Sequence, residues 1–118
     1  MSQIRVYKAK IMKIDTLKSM LKDRDIDFTE NKPVKSYRTV PDAAVGFKLP
    51  GWHFPIAVKA NGEILYDHWQ SEASAMDNLG EFIQDYNAQV ISDEASTFAT
   101  NVYQERLADG NVLMTIQV

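Results

Sequence analysis

The sequence predicts one α+β domain over residues 1–118, with an antiparallel or mixed β-sheet and two or three helices packed on one of its faces. The chain has 118 residues, close to the commonest size of a domain. The spacing of its apolar residues changes along the chain: some segments alternate apolar and polar residues, as strands do, and others repeat apolar residues every three or four positions, as helices do. Asn61-Gly62 and Asp109-Gly110 each lie between two apolar runs, as hairpin turns do. The order of elements is also compatible with a ferredoxin-like arrangement.

The chain begins with a strand and a helix. Residues 4–12 alternate roughly between apolar and polar types, which predicts the first strand. Residues 15–24 are predicted as a helix with Asp15 as its N-cap, because the apolar residues here lie on one helical face: Ile14, Leu17, Met20 and Leu21. Residues 26–40 have extended character, and Pro33 makes them an edge strand or an interrupted one. A short strand over 43–47 then ends at the break Leu49-Pro50-Gly51.

Asn61-Gly62 is the strongest local signal, because this pair favours a two-residue type I′ turn. The turn joins strands within residues 53–59 and 63–69 and places Ala60 opposite Glu63. In this register the core face carries Phe54, Ile56, Val58, Leu65 and Trp69, with Asp67 as its odd member. The opposite face carries His53 and His68 as diagonal neighbours. A shift of one residue exchanges the two faces.

The second half of the sequence predicts a long helix, then a short one, and then a hairpin. Residues 72–90 are the strongest helix, since they repeat apolar residues at helical spacing: Leu79, Phe82, Ile83, Tyr86 and Val90. A break near Ser92-Asp93 predicts a further short helix through Phe98. A second hairpin over residues 102–107 and 112–118 turns at Asp109-Gly110.

The composition excludes several classes of protein. The chain has no cysteine, which excludes disulfides, thiolate metal sites and cysteine nucleophiles. No apolar run approaches the roughly 20 residues of a membrane span, and the first residues lack the basic-then-apolar pattern of a secretory signal. A cytoplasmic protein without membrane contact is expected.

Charge divides sharply between the two halves. Residues 1–59 carry 12 Lys/Arg and 6 Asp/Glu, a net charge of +6, while residues 60–118 carry one Arg and 10 Asp/Glu, a net charge of −9. Together they give the formal net charge of −3. Either the basic half meets an acidic partner, or the two halves complement each other.

No motif assigns a catalytic residue. The sequence lacks a Gly-x-Ser-x-Gly elbow and a glycine-rich phosphate loop, and it has only two histidines. Paired catalytic carboxylates stay open, because such pairs form in space and not in sequence. We therefore predict no catalytic residue and no cofactor, and enzyme activity is not the favoured interpretation.

Aromatic and histidine side chains gather around the first hairpin: Trp52, His53, Tyr66, His68 and Trp69. Two imidazoles on diagonal positions can share a ligand, and a polar aromatic pocket is a default ligand site. These five residues are therefore the candidate ligand site. A metal site is not predicted, since the spacing fixes no third ligand. The alternative is a pair of exposed histidines at a sheet end, beside structural tryptophans.

Lys8, Lys10 and Lys13, with Tyr7 nearby, are candidate contacts to nucleic acid, since basic and aromatic residues alternate there. The sequence pI of about 5.3 argues against a dedicated nucleic-acid protein. Lysines at alternating positions are also typical of an edge strand that avoids aggregation.

Several short segments resemble a known family. They are Met1-Ser2-Gln3-Ile4, the helix at 17–21, Val45-Gly46-Phe47, Asn61-Gly62, Asp67-His68-Trp69, Glu105, Asp109-Gly110-Asn111-Val112 and Thr115-Ile116-Gln117. They are similar to the hypothetical chloroplast open reading frame thirty-five family of cyanobacteria and plastids, a domain of unknown function. Residues 49–54 look like an insertion, and Asn101 stands where a glycine is expected. The resemblance implies a cyanobacterial, plastid or cyanophage origin, hence also the plastid stroma or an infected host cytoplasm, and brings no catalytic residue.

Three functions follow as hypotheses. The first is a small non-enzymatic binding or regulatory module that acts through protein–protein contacts. The second is a small-molecule-binding or enzymatic ferredoxin-like domain with its pocket near Trp52, His53, Tyr66, His68 and Trp69. The third is nucleic-acid binding through the basic half. A homodimer is compatible with each, because unpaired sheet edges often pair with a second copy.

Overall fold

The computed structural model describes residues 3–36, 38–97 and 101–117. Within them the fold class is α+β, as predicted, with two helices, an antiparallel five-stranded sheet and two two-stranded sheets. Neither of these two helices has the length and apolar character needed to cross a membrane. The chain divides into a first unit, residues 1–79, and a second unit, residues 80–118. That the two units form one domain stays a prediction.

The first unit contains the main sheet. Its elements are β1 (Arg5–Lys10), α1 (Ile14–Asp23), β2 (Phe28–Glu30), β3 (Val34–Lys35), β4 (Thr39–Val40), β5 (Ala43–Phe47), β6 (Ile56–Lys59) and β7 (Glu63–Tyr66). The strands of the main sheet lie in the order β1-β7-β6-β5-β2, and all neighbours are antiparallel. The connection through α1 therefore joins the two outer strands, which differs from the β-α-β-β-α-β order of a ferredoxin-like fold.

Helix α1 begins one residue earlier than predicted. Lys13 takes the N-cap position but its side chain makes no capping hydrogen bond, and Asp15 lies in the first turn, where the helix dipole favours its carboxylate. The helix ends in a Schellman motif: the Ile26 N–H donates to the Leu21 carbonyl at 2.9 Å and the Asp25 N–H to the Lys22 carbonyl at 3.1 Å. Asp25 adopts a φ of +55°, in the left-handed region that favours glycine.

Both faces of the main sheet carry buried apolar residues. One face carries Val58 and Ile64, which are directly paired and have no exposed area. On the other face the β3–β4 ribbon forms a buried cluster with the sheet: Val34, Val40, Ala43 and Ala57, with Ile4 and Leu65 packed against it. Gly46 permits this close approach, because a β-carbon there would overlap the Val34 side chain and lie 2.8 Å from Thr29 Oγ1.

The first hairpin forms, but its predicted register is wrong by one residue. Ala57 pairs with Leu65 and Val58 pairs with Ile64, so the loop has three residues, 60–62. The Gly62 N–H donates to the Lys59 carbonyl at 2.9 Å, and Gly62 has a φ of +91°. This geometry matches a three-residue hairpin loop with glycine in the left-handed position, not a type I′ turn. As a consequence, Leu65 lies on the face opposite to Val58.

The break at Leu49-Pro50-Gly51 forms a tight turn. Gly51 has a φ of +84°, and the Trp52 N–H donates to the Leu49 carbonyl at 3.2 Å. Proline followed by glycine at the two central positions is typical of a type II turn. The Asn78 side chain donates to the Pro50 carbonyl at 2.7 Å, which ties the turn to the start of the second helix.

Helix α2 (Ala75–Ala95) begins in the first unit and ends in the second. It is continuous through Ser92-Asp93, so the predicted break at these residues is wrong, and Phe98 lies outside the described residues. The Asp93 carboxylate accepts a hydrogen bond from the Gln89 side chain at 2.8 Å, one helical turn earlier in this continuous helix.

The second unit closes with the predicted hairpin, formed by β8 (Asn101–Arg106) and β9 (Val112–Gln117). The Leu107 N–H donates to the Asn111 carbonyl at 2.8 Å, and the Gly110 N–H donates to the Leu107 carbonyl at 3.0 Å. Gly110 has a φ of +86°, so this turn has the same form as the turn of the first hairpin. Val118 lies outside the described residues.

Candidate functional site

Trp52 is the buried centre of the aromatic residues that the sequence singled out. Its side chain is 3% exposed, and its Nε1–H donates to the carbonyl of Ala75, the first residue of α2, at 2.8 Å. The rings of Tyr66 and His68 each lie 5.7 Å from the Trp52 ring, both edge-on. This arrangement suits a structural tryptophan, whose polar atom is satisfied and whose faces are packed.

His53, Phe54 and Trp69 form a second aromatic group. The Phe54 and Trp69 rings stack with an interplanar angle of 16° at 6.4 Å, and the His53 ring lies 4.7 Å from Phe54 and 6.4 Å from Trp69. The His53 backbone N–H donates to Ser71 Oγ at 3.0 Å. Trp69 is 40% exposed, so this group presents aromatic surface to solvent.

The two histidines do not take the diagonal positions that were predicted. His53 precedes β6 and His68 follows β7, so both lie beyond the ends of the paired strands. Their ring contacts also differ, since His53 contacts Phe54 and Trp69 while His68 contacts Trp52. Among the described residues no group of three His, Cys, Asp or Glu side chains could hold a metal ion.

Asp67 is the buried carboxylate beside these groups, with 2% of its area exposed. Its Oδ1 accepts a hydrogen bond from the Trp69 N–H at 3.1 Å. The next turn follows at once, because the Ser71 N–H donates to the His68 carbonyl at 2.9 Å and Gln70 has a φ of +57°. Asp67 therefore shapes the loop that carries Trp69.

The cleft that includes Tyr66 is small. It is lined by Tyr66, Asp67, Pro55, Ser36 and residues of the β3–β4 ribbon, and its volume is about 10 Å³. That is room for about one water molecule, whereas pockets for small ligands measure roughly 300–1,000 Å³. The surface available to a ligand in this region is the group of His53, Phe54 and Trp69, in which His53 and Trp69 are exposed and Phe54 is half-buried.

Lys8 and Lys10 are exposed on β1, an outer strand of the main sheet, and Lys13 is exposed just before α1. The structure thus gives the two strand lysines the edge position that the sequence suggested. Exposed lysines on an outer strand discourage pairing with another strand of the same kind.

The β8–β9 hairpin carries exposed apolar side chains that the sequence did not single out. Tyr103 is 53% exposed, Leu113 50%, Leu107 40% and Ile116 39%. In the observed register Tyr103 pairs with Thr115 and Glu105 with Leu113, so Tyr103 and Leu113 are diagonal neighbours on one face. The four exposed residues of these two pairs, Tyr103, Glu105, Leu113 and Thr115, are called the outer face of the hairpin, whereas Ile116 lies on the opposite side.

The opposite side of the hairpin has a partner within its own unit. Arg106 lies on that side and forms an ion pair with Asp85 of α2. Val112, directly opposite Arg106, and Met114 are half-buried. The alternation of residues along β8 and β9 assigns them to the two faces of the hairpin. It shows which residues of the two strands share a face only when the register of the turn is known.

Comparison with known proteins gives no relative: no family model, no curated protein and no solved structure matches the chain. The resemblance to the hypothetical chloroplast open reading frame thirty-five family therefore stays a prediction.

Proposed function

We propose that this chain is a small non-enzymatic binding module, and that another protein docks on the outer face of the β8–β9 hairpin. The observation that supports the proposal is the exposure of Tyr103 and Leu113, each about half exposed on one face of a two-stranded sheet. A two-stranded hairpin alone is marginally stable in water. Exposed apolar side chains that lie together are typical of interaction sites.

The test removes apolar area from the outer face and keeps the strands. Threonine favours β-strands, so Tyr103→Thr/Leu113→Thr is expected to preserve the hairpin. Met12→Gln is the matched control, because Met12 is 64% exposed and lies outside the hairpin. The three proteins are compared by quantitative affinity capture from extracts of the source organism.

We expect the same proteins to bind the wild type and the Met12→Gln control, and to be lost from the double variant. Equal capture by all three would contradict docking on the hairpin. Circular dichroism of each variant shows whether the fold is retained.

A second candidate function is small-molecule binding at His53, Phe54 and Trp69. It is favoured by the stacked Phe54 and Trp69 rings, since exposed aromatic faces bind planar or cationic ligands. Native mass spectrometry of the purified protein tests it. A retained extra mass that is lost in His53→Ala/Trp69→Ala would support a ligand at these residues, whereas a bare protein mass would argue against this second function.

The cytoplasm, or the plastid stroma or an infected host cell, is the setting we propose for this module. It rests on the resemblance to the hypothetical chloroplast open reading frame thirty-five family. Nucleic acid is not a proposed partner, so we expect no gel shift. The test uses a salt concentration of about 50 mM, because electrostatic binding is strongest at low salt.

A further inference from the structure

The outer face of the β8–β9 hairpin belongs to a strongly acidic unit. Residues 80–118 contain six Asp/Glu and one Arg, a net charge of −5. The only arginine, Arg106, is already paired with Asp85. Glu105 lies on the outer face itself, between Tyr103 and Leu113. A surface that complements this face carries positive charge together with exposed apolar area.

Strand β1 of the same chain has this chemistry. Its six residues, Arg5–Lys10, include three basic residues and no acidic residue. It is an outer strand of the main sheet, with Lys8 and Lys10 exposed and Val6 59% exposed. Val6 is also among the most exposed large apolar side chains of the described residues.

We propose that the occupant of the outer hairpin face is a second copy of this chain, which binds through its strand β1. Val6 of one copy packs against Tyr103 and Leu113 of the other, while Lys8 and Lys10 lie near Glu105. The inference rests on the proposed function, because it names the partner of the same docking surface. Two symmetric dimers are disfavoured by charge. Contact of β1 with β1 would bring basic residues together, and contact of hairpin with hairpin would bring acidic residues together.

Sedimentation velocity of the purified full chain tests the contact directly. Across about 10 μM to about 1 mM protein, we expect association at a salt concentration of about 50 mM that weakens at about 500 mM, because salt screens exposed charges. Tyr103→Thr/Leu113→Thr and Lys8→Glu/Lys10→Glu are each expected to weaken association about tenfold or more. A chain that stays monomeric over the whole range at low salt overturns the proposal.

Charge reversal identifies the two contacting surfaces. Glu105→Lys is expected to weaken self-association, and so is Lys8→Glu/Lys10→Glu. A mixture of these two variants is expected to associate, because the reversed hairpin then faces a reversed strand. Glu81→Lys is the matched control, since it changes the net charge equally at an exposed position of α2 in the same unit.

Two results would overturn the proposal even if the protein associates: an equal loss with Glu81→Lys and Glu105→Lys, or no association in the mixture. The first would show an effect of net charge alone, and the second would show that β1 and the hairpin do not meet. The proposed function is tested separately, because a monomeric chain whose hairpin variant loses a captured protein keeps the binding module and removes only the second copy.

Discussion

Gly62 and Gly110 occupy the same position in two turns of the same form. Each glycine N–H donates to the carbonyl three residues earlier, Lys59 at 2.9 Å and Leu107 at 3.0 Å. Their φ angles are +91° and +86°. Their surroundings differ: a β-carbon on Gly62 would lie 2.9 Å from the Ile11 carbonyl oxygen, whereas a β-carbon on Gly110 would meet no atom within 4 Å. A comparison of the two glycines therefore separates the cost of the left-handed backbone conformation, which both share, from the cost of close packing, which only Gly62 has.

Alanine at these two positions is expected to have unequal costs. Gly110→Ala places a β-carbon in the left-handed region, which costs about 1–2 kcal/mol of unfolding free energy. Gly62→Ala has the same conformational cost and also crowds the end of β1, which adds about 1–3 kcal/mol. Urea unfolding followed by circular dichroism measures both. Equal losses would show that the turn at Gly62 does not sit tightly against Ile11.

Asp25→Gly is expected to stabilise the protein. Asp25 holds a left-handed φ of +55° at the end of α1, and its negative charge lies where the helix dipole disfavours it. Glycine relieves both, so the free energy of unfolding is expected to rise by about 0.5–1 kcal/mol. Lys22→Gly, inside the last turn of the same helix, is the control and should lose about 1 kcal/mol. A loss of stability in Asp25→Gly would argue against the Schellman motif.

The two tryptophans are expected to respond differently to phenylalanine. Trp52→Phe removes the hydrogen bond to Ala75, worth about 1 kcal/mol, and leaves space in a buried site, which costs about 1–2 kcal/mol more. Trp69→Phe changes a side chain that is 40% exposed and should stay within about 0.5 kcal/mol of the wild type. Chemical unfolding measures both, and each variant retains one tryptophan as its fluorescent probe. A larger loss for Trp69→Phe would reverse the roles assigned to the two rings.

The first hairpin illustrates what local sequence could and could not predict. The sequence Asn61-Gly62 predicted that a turn forms here, and it does. The same two residues suit a type I′ turn or a three-residue loop, and the choice shifts the register by one residue. The observed loop also leaves the Gly62 carbonyl free to accept the Ile11 N–H at 2.8 Å. That bond comes from a segment 51 positions earlier, so no local pattern contains it.

The candidate sites show the same limit. The sequence predicted that aromatic and histidine residues gather near the first hairpin, and their ring contacts join them in two groups. It did not predict which rings meet, because His53 and His68 lie beyond the strands, where alternation no longer sets direction. The exposed outer face of the β8–β9 hairpin was missed because its Asp109-Gly110 turn has the same ambiguity of register.

Tyr7 is expected to make the protein less stable in alkali. Burial, and next the electrostatic effect of Tyr66, raise the pKa of Tyr7 above its usual 10.0. The two rings lie edge-on with their centroids 6.2 Å apart. The folded state therefore holds the Tyr7 proton more tightly than the unfolded chain does. This contribution to stability is complete below pH 10.0 and is lost as the pH rises through the folded-state pKa.

Tyr7→Phe removes that titration, so the difference in unfolding free energy between the wild type and the variant should be constant below about pH 9. Above pH 10 the wild type should lose stability more steeply than the variant, in urea unfolding repeated at successive pH values. Lys18 also has a raised pKa, first through its hydrogen bond to Glu30, and its contribution is likewise lost only above 10.5. Because Lys18 is present in both proteins, it changes both curves equally and cancels in the difference. Parallel curves through this range would mean that Tyr7 ionises as readily in the folded protein as in the unfolded chain.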